Sequence, residues 1–181
     1  MFVATYSSGQ ESSLAYDELL ECKEVVNNDT VQFYYHDDNG NPYYLRYPIN
    51  SKISFKSDLK NDTLYSSSAG ISGDTLTIYL TKQTFGLIID VNIHVVKDKP
   101  LARVTYWTVL PNEPRKLKPK KVALILKNQK LKKGDRLIGS VNIEFTGQVV
   151  DELSMKETKI SGEINGCFNI VIDKLSRSRL D

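Results

Sequence analysis

A chain of 181 residues fits one domain with at most a short arm, and it needs no metal or disulfide framework to make a core, because a fold of that size buries roughly 70% of the surface its unfolded form exposes. Hydrophobic residues at 40% and charged residues at 25% place it with ordinary soluble globular proteins rather than disordered or fibrous ones. A formal net charge of +2 is too small to imply a polyanionic partner by itself.

Residues 1–13 read as a flexible arm, since little there could be buried, and 14–181 as a single domain. The start lacks a basic n-region and an apolar h-region, and no stretch approaches the roughly 20 apolar residues of a membrane-spanning helix. The polar opening Tyr6 to Ser13 resembles the tether that follows a cleaved leader. An extracytoplasmic place, periplasmic or at a cell surface, is therefore expected if a leader was removed, and a cytoplasmic one otherwise. Leu14, Leu19, Leu20 and Val25 could line a short helix capped by Ser12 or Ser13, and Leu19, Glu21, Lys23 and Val25 also fit a strand. A short helix or a turn followed by strand is therefore expected over residues 14–24, the one place where helix enters.

From Thr30 onward the pattern is that of strands. Val31, Phe33 and Tyr35 alternate with Gln32 and Tyr34, Asn39-Gly40 makes a tight turn, and Tyr43, Leu45, Tyr47 and Ile49 return, which predicts a hairpin. Short strands follow at Ile53 to Phe55 and Thr63 to Tyr65, then a loop over Ser66 to Asp74 and a strand over Thr75 to Thr81. Leu87 to Val96 starts apolar on both parities and reads as a central strand. Lys97 to Pro100 turns the chain into Leu101 to Leu110. Pro111, Pro114 and Pro119 argue against a central strand over 111–120, and Val122 to Leu126 is a compact apolar strand.

The clearest pattern lies in Arg136 to Asp173. Gly139 to Thr146 alternates without a break. In the second arm Ile160, Gly162, Ile164, Gly166, Phe168, Ile170 and Ile172 share one parity, against Ser161, Glu163, Asn165, Cys167 and Asn169 on the other. These arms are expected to pair antiparallel across Gln148 to Lys159 and to complete a sheet rather than form a site. Gly162 and Gly166 on the inward parity either leave room for a ligand or admit a neighbouring backbone. About ten short strands separated by turns predict an all-β, mostly antiparallel β-sandwich, with a partly closed β-barrel as the alternative.

Candidate functional residues fall into three groups. Glu11 to Asp38 holds eight acidic residues against Lys23 alone, whereas Arg115 to Arg136 holds ten basic ones against Asp135 alone. Within the basic block, Lys116, Lys118, Lys120, Lys130, Lys132 and Lys133 are candidates for binding an anionic group, or form a solvated rim. The block is Lys-rich, Arg-poor and without interleaved aromatics, which argues against nucleic acid as the partner. Tyr34 and Tyr44 on the first hairpin should present rings to solvent, and Trp107 lies on the polar parity of its strand. Such aromatics can stack on a sugar or anchor a protein, or simply stabilise a hairpin. Cys22 and Cys167 are too far apart for a metal knuckle or a redox pair, and are either one long-range disulfide or two thiols.

Chemistry beyond binding finds little foothold. Asp37, Asn39 and Asn41 have calcium-loop spacing, but Pro42 and Pro48 stand where that loop needs glycine and glutamate. Ser57-Asp58-Leu59-Lys60 matches S-x-x-K by letter without its companion motifs. His36 and His94 have no ligand or triad partner at a telling spacing, and no phosphate-cradling glycine loop occurs, so neither metal nor cofactor is expected. The expectation is a non-enzymatic extracytoplasmic module binding a protein or glycan through a sheet face or loops. A barrel-type small-ligand carrier, or a hydrolase whose site forms only in three dimensions, are the alternatives.

Overall fold

The computed structural model describes residues 9–23, 25, 30–36, 42–84, 87–108, 114–150 and 156–173. Within them the chain is all-β: β1 (Glu11–Tyr16), β2 (Thr30–His36), β3 (Pro42–Pro48), β4 (Ser51–Ser57), β5 (Asn61–Leu64), β6 (Ser66–Ser72), β7 (Thr75–Thr84), β8 (Leu87–Val96), β9 (Lys99–Thr108), β10 (Arg115–Leu126), β11 (Arg136–Val150) and β12 (Glu157–Asp173). β2 and β3 form a hairpin of their own, and the other ten strands are joined in one sheet.

From β6 to β12 each strand pairs antiparallel with the next, and β12 closes onto β6 through a short parallel contact at Ile172 and Asp173. Seven strands thus make a ring. Its two corners are strands that change partner along one edge. β10 pairs β9 through Arg115–Leu117 and then takes the parallel strand β1 through Lys121–Leu126. β12 pairs β4 through Gly162–Phe168 before it meets β6. Inward residues of all these strands form one core, with Phe55, Phe145 and Phe168 fully buried and the Phe55 and Phe145 rings stacked at 5.1 Å.

The final hairpin is paired along its whole length, from Arg136↔Val171 to Val150↔Glu157, and its apolar parity faces the core as expected. Its strands are long, with 15 residues in β11 and 17 in β12. β8 is central between β7 and β9. A Cβ on Gly162 would strike the Lys56 carbonyl oxygen and one on Gly166 the Lys52 carbonyl oxygen, so both glycines admit the β4 backbone rather than leave a cavity.

Four expectations need correction. The described residues 14–23 hold no helix: Glu11–Tyr16 is strand, followed by a turn in which Leu20 N–H donates to the Asp17 carbonyl. Where β9 leaves β10, unpaired backbone groups recruit the N-terminal segment, and one or two turns of isolated helix cannot compete with that pairing. For the same reason residues 11–13 belong to β1 rather than to a free arm. Residues 66–72, expected as loop, form β6. The Asn50 side chain exchanges two 2.6 Å hydrogen bonds with the Ser67 backbone, doing what a neighbouring strand would do. Pro119 lies inside β10, tolerated because the β10–β11 register shifts there, between Pro119 and Lys121, at a bulge that asks nothing of its missing N–H.

Cys22 and Cys167 form a disulfide, with Cα atoms 5.8 Å apart. After β1 the chain is anchored by Asp17 N–H to the Leu126 carbonyl and then crosses from the edge strand to β12. Residues 17–23 are thereby a strap over the outward face of β10–β12, and Val25 beyond it is buried.

Candidate binding cleft

The outward face of β10–β12 alternates with the apolar core face by the period of a strand, so every second residue there is polar for the same reason that its neighbours are not. At the end where β10 begins, the register sets Lys118 opposite Thr146, Thr146 opposite Ser161, and Gln148 opposite Lys159. The β4–β5 turn reaches this row. Asp58 N–H donates to the Ser161 carbonyl at 3.3 Å, and Ser161 returns its N–H at 3.2 Å and its hydroxyl at 3.1 Å to the Asp58 carboxylate.

An open cleft of about 810 Å³ lies over these residues. Among the described residues its cations are Arg115, Lys116, Lys118 and Lys159, and its one lining carboxylate is Asp58. Arg115 contacts Glu157 at 3.4 Å. Lys116, Lys118 and Lys159 are exposed, and among the described residues none of the three has a carboxylate within ion-pair distance. A second depression of about 560 Å³ shares Asp58, Thr146 and Ser161 with the first and is lined further by Lys56, Lys120, Glu144 and Glu163. Glu144 pairs with Lys121 at 3.7 Å and Glu163 with Lys56 at 3.9 Å. The groove is thus cationic at one end and balanced at the other.

The basic block of the sequence is divided by this geometry. Lys116, Lys118 and Lys120 sit on the groove, whereas Lys130, Lys132 and Lys133 lie in the β10–β11 turn. At about 3.3 Å of rise per residue, the strand between Lys118 and Leu126 alone separates the two groups by about 26 Å. Trp107 is half-buried on the outward face of β9, opposite Ile88, and does not line the groove. Tyr34 is directly opposite Tyr44, so the two share one face of their hairpin, while their side chains lie outside the described residues. The calcium-like Asp37, Asn39 and Asn41 also lie outside them. Among the described residues no group of three His, Cys, Asp or Glu side chains converges as metal ligands do.

Sequence reasoning passed over Asp58, Lys159 and Ser161. Lys159 was within reach, since the hairpin register alone puts it beside Gln148. Asp58 was not, because only the pairing of β4 with β12 brings its turn to Ser161. Ser57-Asp58-Leu59-Lys60 is the β4–β5 turn, in which Lys60 N–H donates to Ser57 Oγ at 3.0 Å, and Ser57 serves the turn rather than a nucleophile's role.

His94 lies away from the groove, on the outward face of β8, with Nδ1 3.1 Å from the Thr77 hydroxyl. Burial holds its pKa below the ordinary 6.5. The folded state therefore binds fewer protons than the unfolded one below that value. Stability from this site is complete above about pH 6.5 and is lost as pH falls from there toward the folded pKa. His94→Gln is expected to flatten the fall in Tm between about pH 7.5 and 5, measured by calorimetry. An unchanged slope would assign the acid sensitivity to other groups.

No protein-family model, no curated protein and no solved structure matches this chain.

Proposed function

We propose that the protein is a non-catalytic, extracytoplasmic binding module that holds an anionic group of a glycan in the groove over β10–β12. The observation that carries this reading is the cluster of Lys116, Lys118 and Lys159, three exposed ammonium groups converging on one cleft without carboxylate partners among the described residues. Charges of one sign gathered in a concave surface attract a ligand of the other sign more than the same charges spread along a rim. The carboxylate in the cleft, Asp58, has both oxygens engaged by Ser161, which suits a hydrogen-bonding wall better than a proton-transfer group. The disulfide between Cys22 and Cys167 supports an oxidising compartment, where such bonds persist.

Two triple variants test the reading against each other. Lys116→Ala/Lys118→Ala/Lys159→Ala is expected to weaken binding to a carboxylated polysaccharide at low salt by about tenfold or more, whereas Lys130→Ala/Lys132→Ala/Lys133→Ala, equal in charge removed, changes it by about twofold or less. Equal losses from the two would mean that net charge, not the groove, does the binding. No retention of the parent protein at low salt would end the proposal.

A further inference from the structure

We infer that the groove selects its ligand by the spacing of negative charge: it takes a linear glycan with isolated carboxylates separated by neutral, hydroxyl-rich sugars, and it rejects chains that carry a charge on every unit. This rests on the anion-binding reading above and goes beyond it by naming the ligand class. At the cationic end Lys116, Lys118 and Lys159 offer a seat for one anionic group. Continuing along the groove, a ligand passes Asp58 and Ser161 and then reaches the row of Glu144 and Glu163. Two residues of β11 separate Thr146 from Glu144, a step of about 7 Å. That is shorter than the screening length of about 8 Å at physiological salt, so the field of these carboxylates is only partly screened for an anion next to the cationic seat. Lys56, Lys120 and Lys121 stand here against Asp58, Glu144 and Glu163, so among the described residues this row carries no surplus positive charge to receive a second anion. The same carboxylates accept hydrogen bonds well, and sugar hydroxyls donate them.

A glycan fits this floor better than a peptide does. β11, the middle strand of the floor, pairs β10 on one edge and β12 on the other, and β4 covers β12 from Gly162 to Phe168, so these parts of the floor offer no backbone edge for an added strand. Among the described residues the apolar side chains lining the cationic half are Pro114 and the buried Ile160.

The test is calorimetric titration of the full chain, at physiological salt, with four polymers: an alternating uronate–N-acetylhexosamine chain, polygalacturonate, heparin and polyglutamate. The alternating chain is expected to bind about tenfold or more tighter than the other three. In Glu144→Gln/Glu163→Gln the advantage over polygalacturonate and heparin is expected to shrink to about threefold or less, because the repulsive row is gone. Tighter binding of heparin or polygalacturonate, still lost on substitution of Lys116, Lys118 and Lys159, would overturn the spacing rule and leave an anion-binding module standing. Polyglutamate binding best would overturn the glycan class. Failure of all four even at low salt would remove both this inference and the reading beneath it.

Discussion

Replacing Cys22 and Cys167 with serine is expected to lower the unfolding free energy by about 5 kcal/mol and Tm by about 10–20 °C. The size follows from the loop that the bond closes, since the two residues are 145 positions apart and cross-linking so long a stretch removes much of the unfolded chain's freedom. The loss should also have a place in the structure. Residues 17–23 are tied to the sheet at one end by Asp17 and β1 and at the other by the disulfide, so releasing Cys22 frees the strap at its far end. β1 is then held by its parallel pairing with β10 and by the Tyr16 hydroxyl, which donates to the Asp98 carboxylate at 3.0 Å. Amide exchange in Glu11–Tyr16 should accelerate well before that in β8, the central strand. Denaturant unfolding of the double serine variant reads the first effect and native-state hydrogen exchange the second. Titration of two reactive thiols in the native parent would contradict both.

The strands of this chain were readable wherever one face is apolar and the other wet. β11 and β12 show period two over their whole length because each residue faces either a packed core or solvent, and a strand so patterned has only one register that keeps its apolar set inside. β6 was not readable, since Ser66-Ser67-Ser68-Ala69-Gly70 has weak strand preference and no apolar alternation. It is a strand because β7, β12 and the Asn50 side chain satisfy its backbone. β1 escaped notice for the opposite reason. Its sequence tolerates several conformations, and the vacant edge of β10 beyond Leu117 decides among them.

The groove was legible in part. Its lysines on β10 stand out as a charge run, but an extended chain spreads a run over tens of ångströms, so neighbours in sequence such as Lys118 and Lys130 end at opposite ends of a strand. What joins Lys118 to Lys159 is two successive registers, β10 on β11 and β11 on β12, and the first of these is shifted by the bulge at Pro119. No single-strand pattern carries that information. The hairpin assigned to scaffold supplies Thr146, Gln148, Lys159 and Ser161 to the groove, because in a two-faced strand one parity builds the core and the other is free for a ligand.

Asp62→Ala is expected to cost about 3–5 kcal/mol, far more than loss of a surface ion pair, which is worth about 1 kcal/mol or less. Lys82 follows Leu76, Ile78 and Leu80 on the inward parity of β7, a position the pattern reserves for an apolar side chain. Asp62 takes the corresponding place on β5, opposite Phe55. The two meet in an ion pair at the rim of the core, with side-chain exposures of 15% and 13%. Burial to that degree takes most of the water from both charges, and each is tolerable only while the other is present. Asp62→Ala leaves the Lys82 ammonium among Ile89 and its neighbours without an anion, so the cost is that of an uncompensated charge as well as of a lost contact. The double variant Asp62→Leu/Lys82→Met removes both charges and keeps the volume, and it should recover most of the stability lost by the single change. Denaturant unfolding of the two variants separates these terms. A single-variant loss below about 1 kcal/mol would mean that water reaches the pair freely and that it acts as an ordinary surface contact.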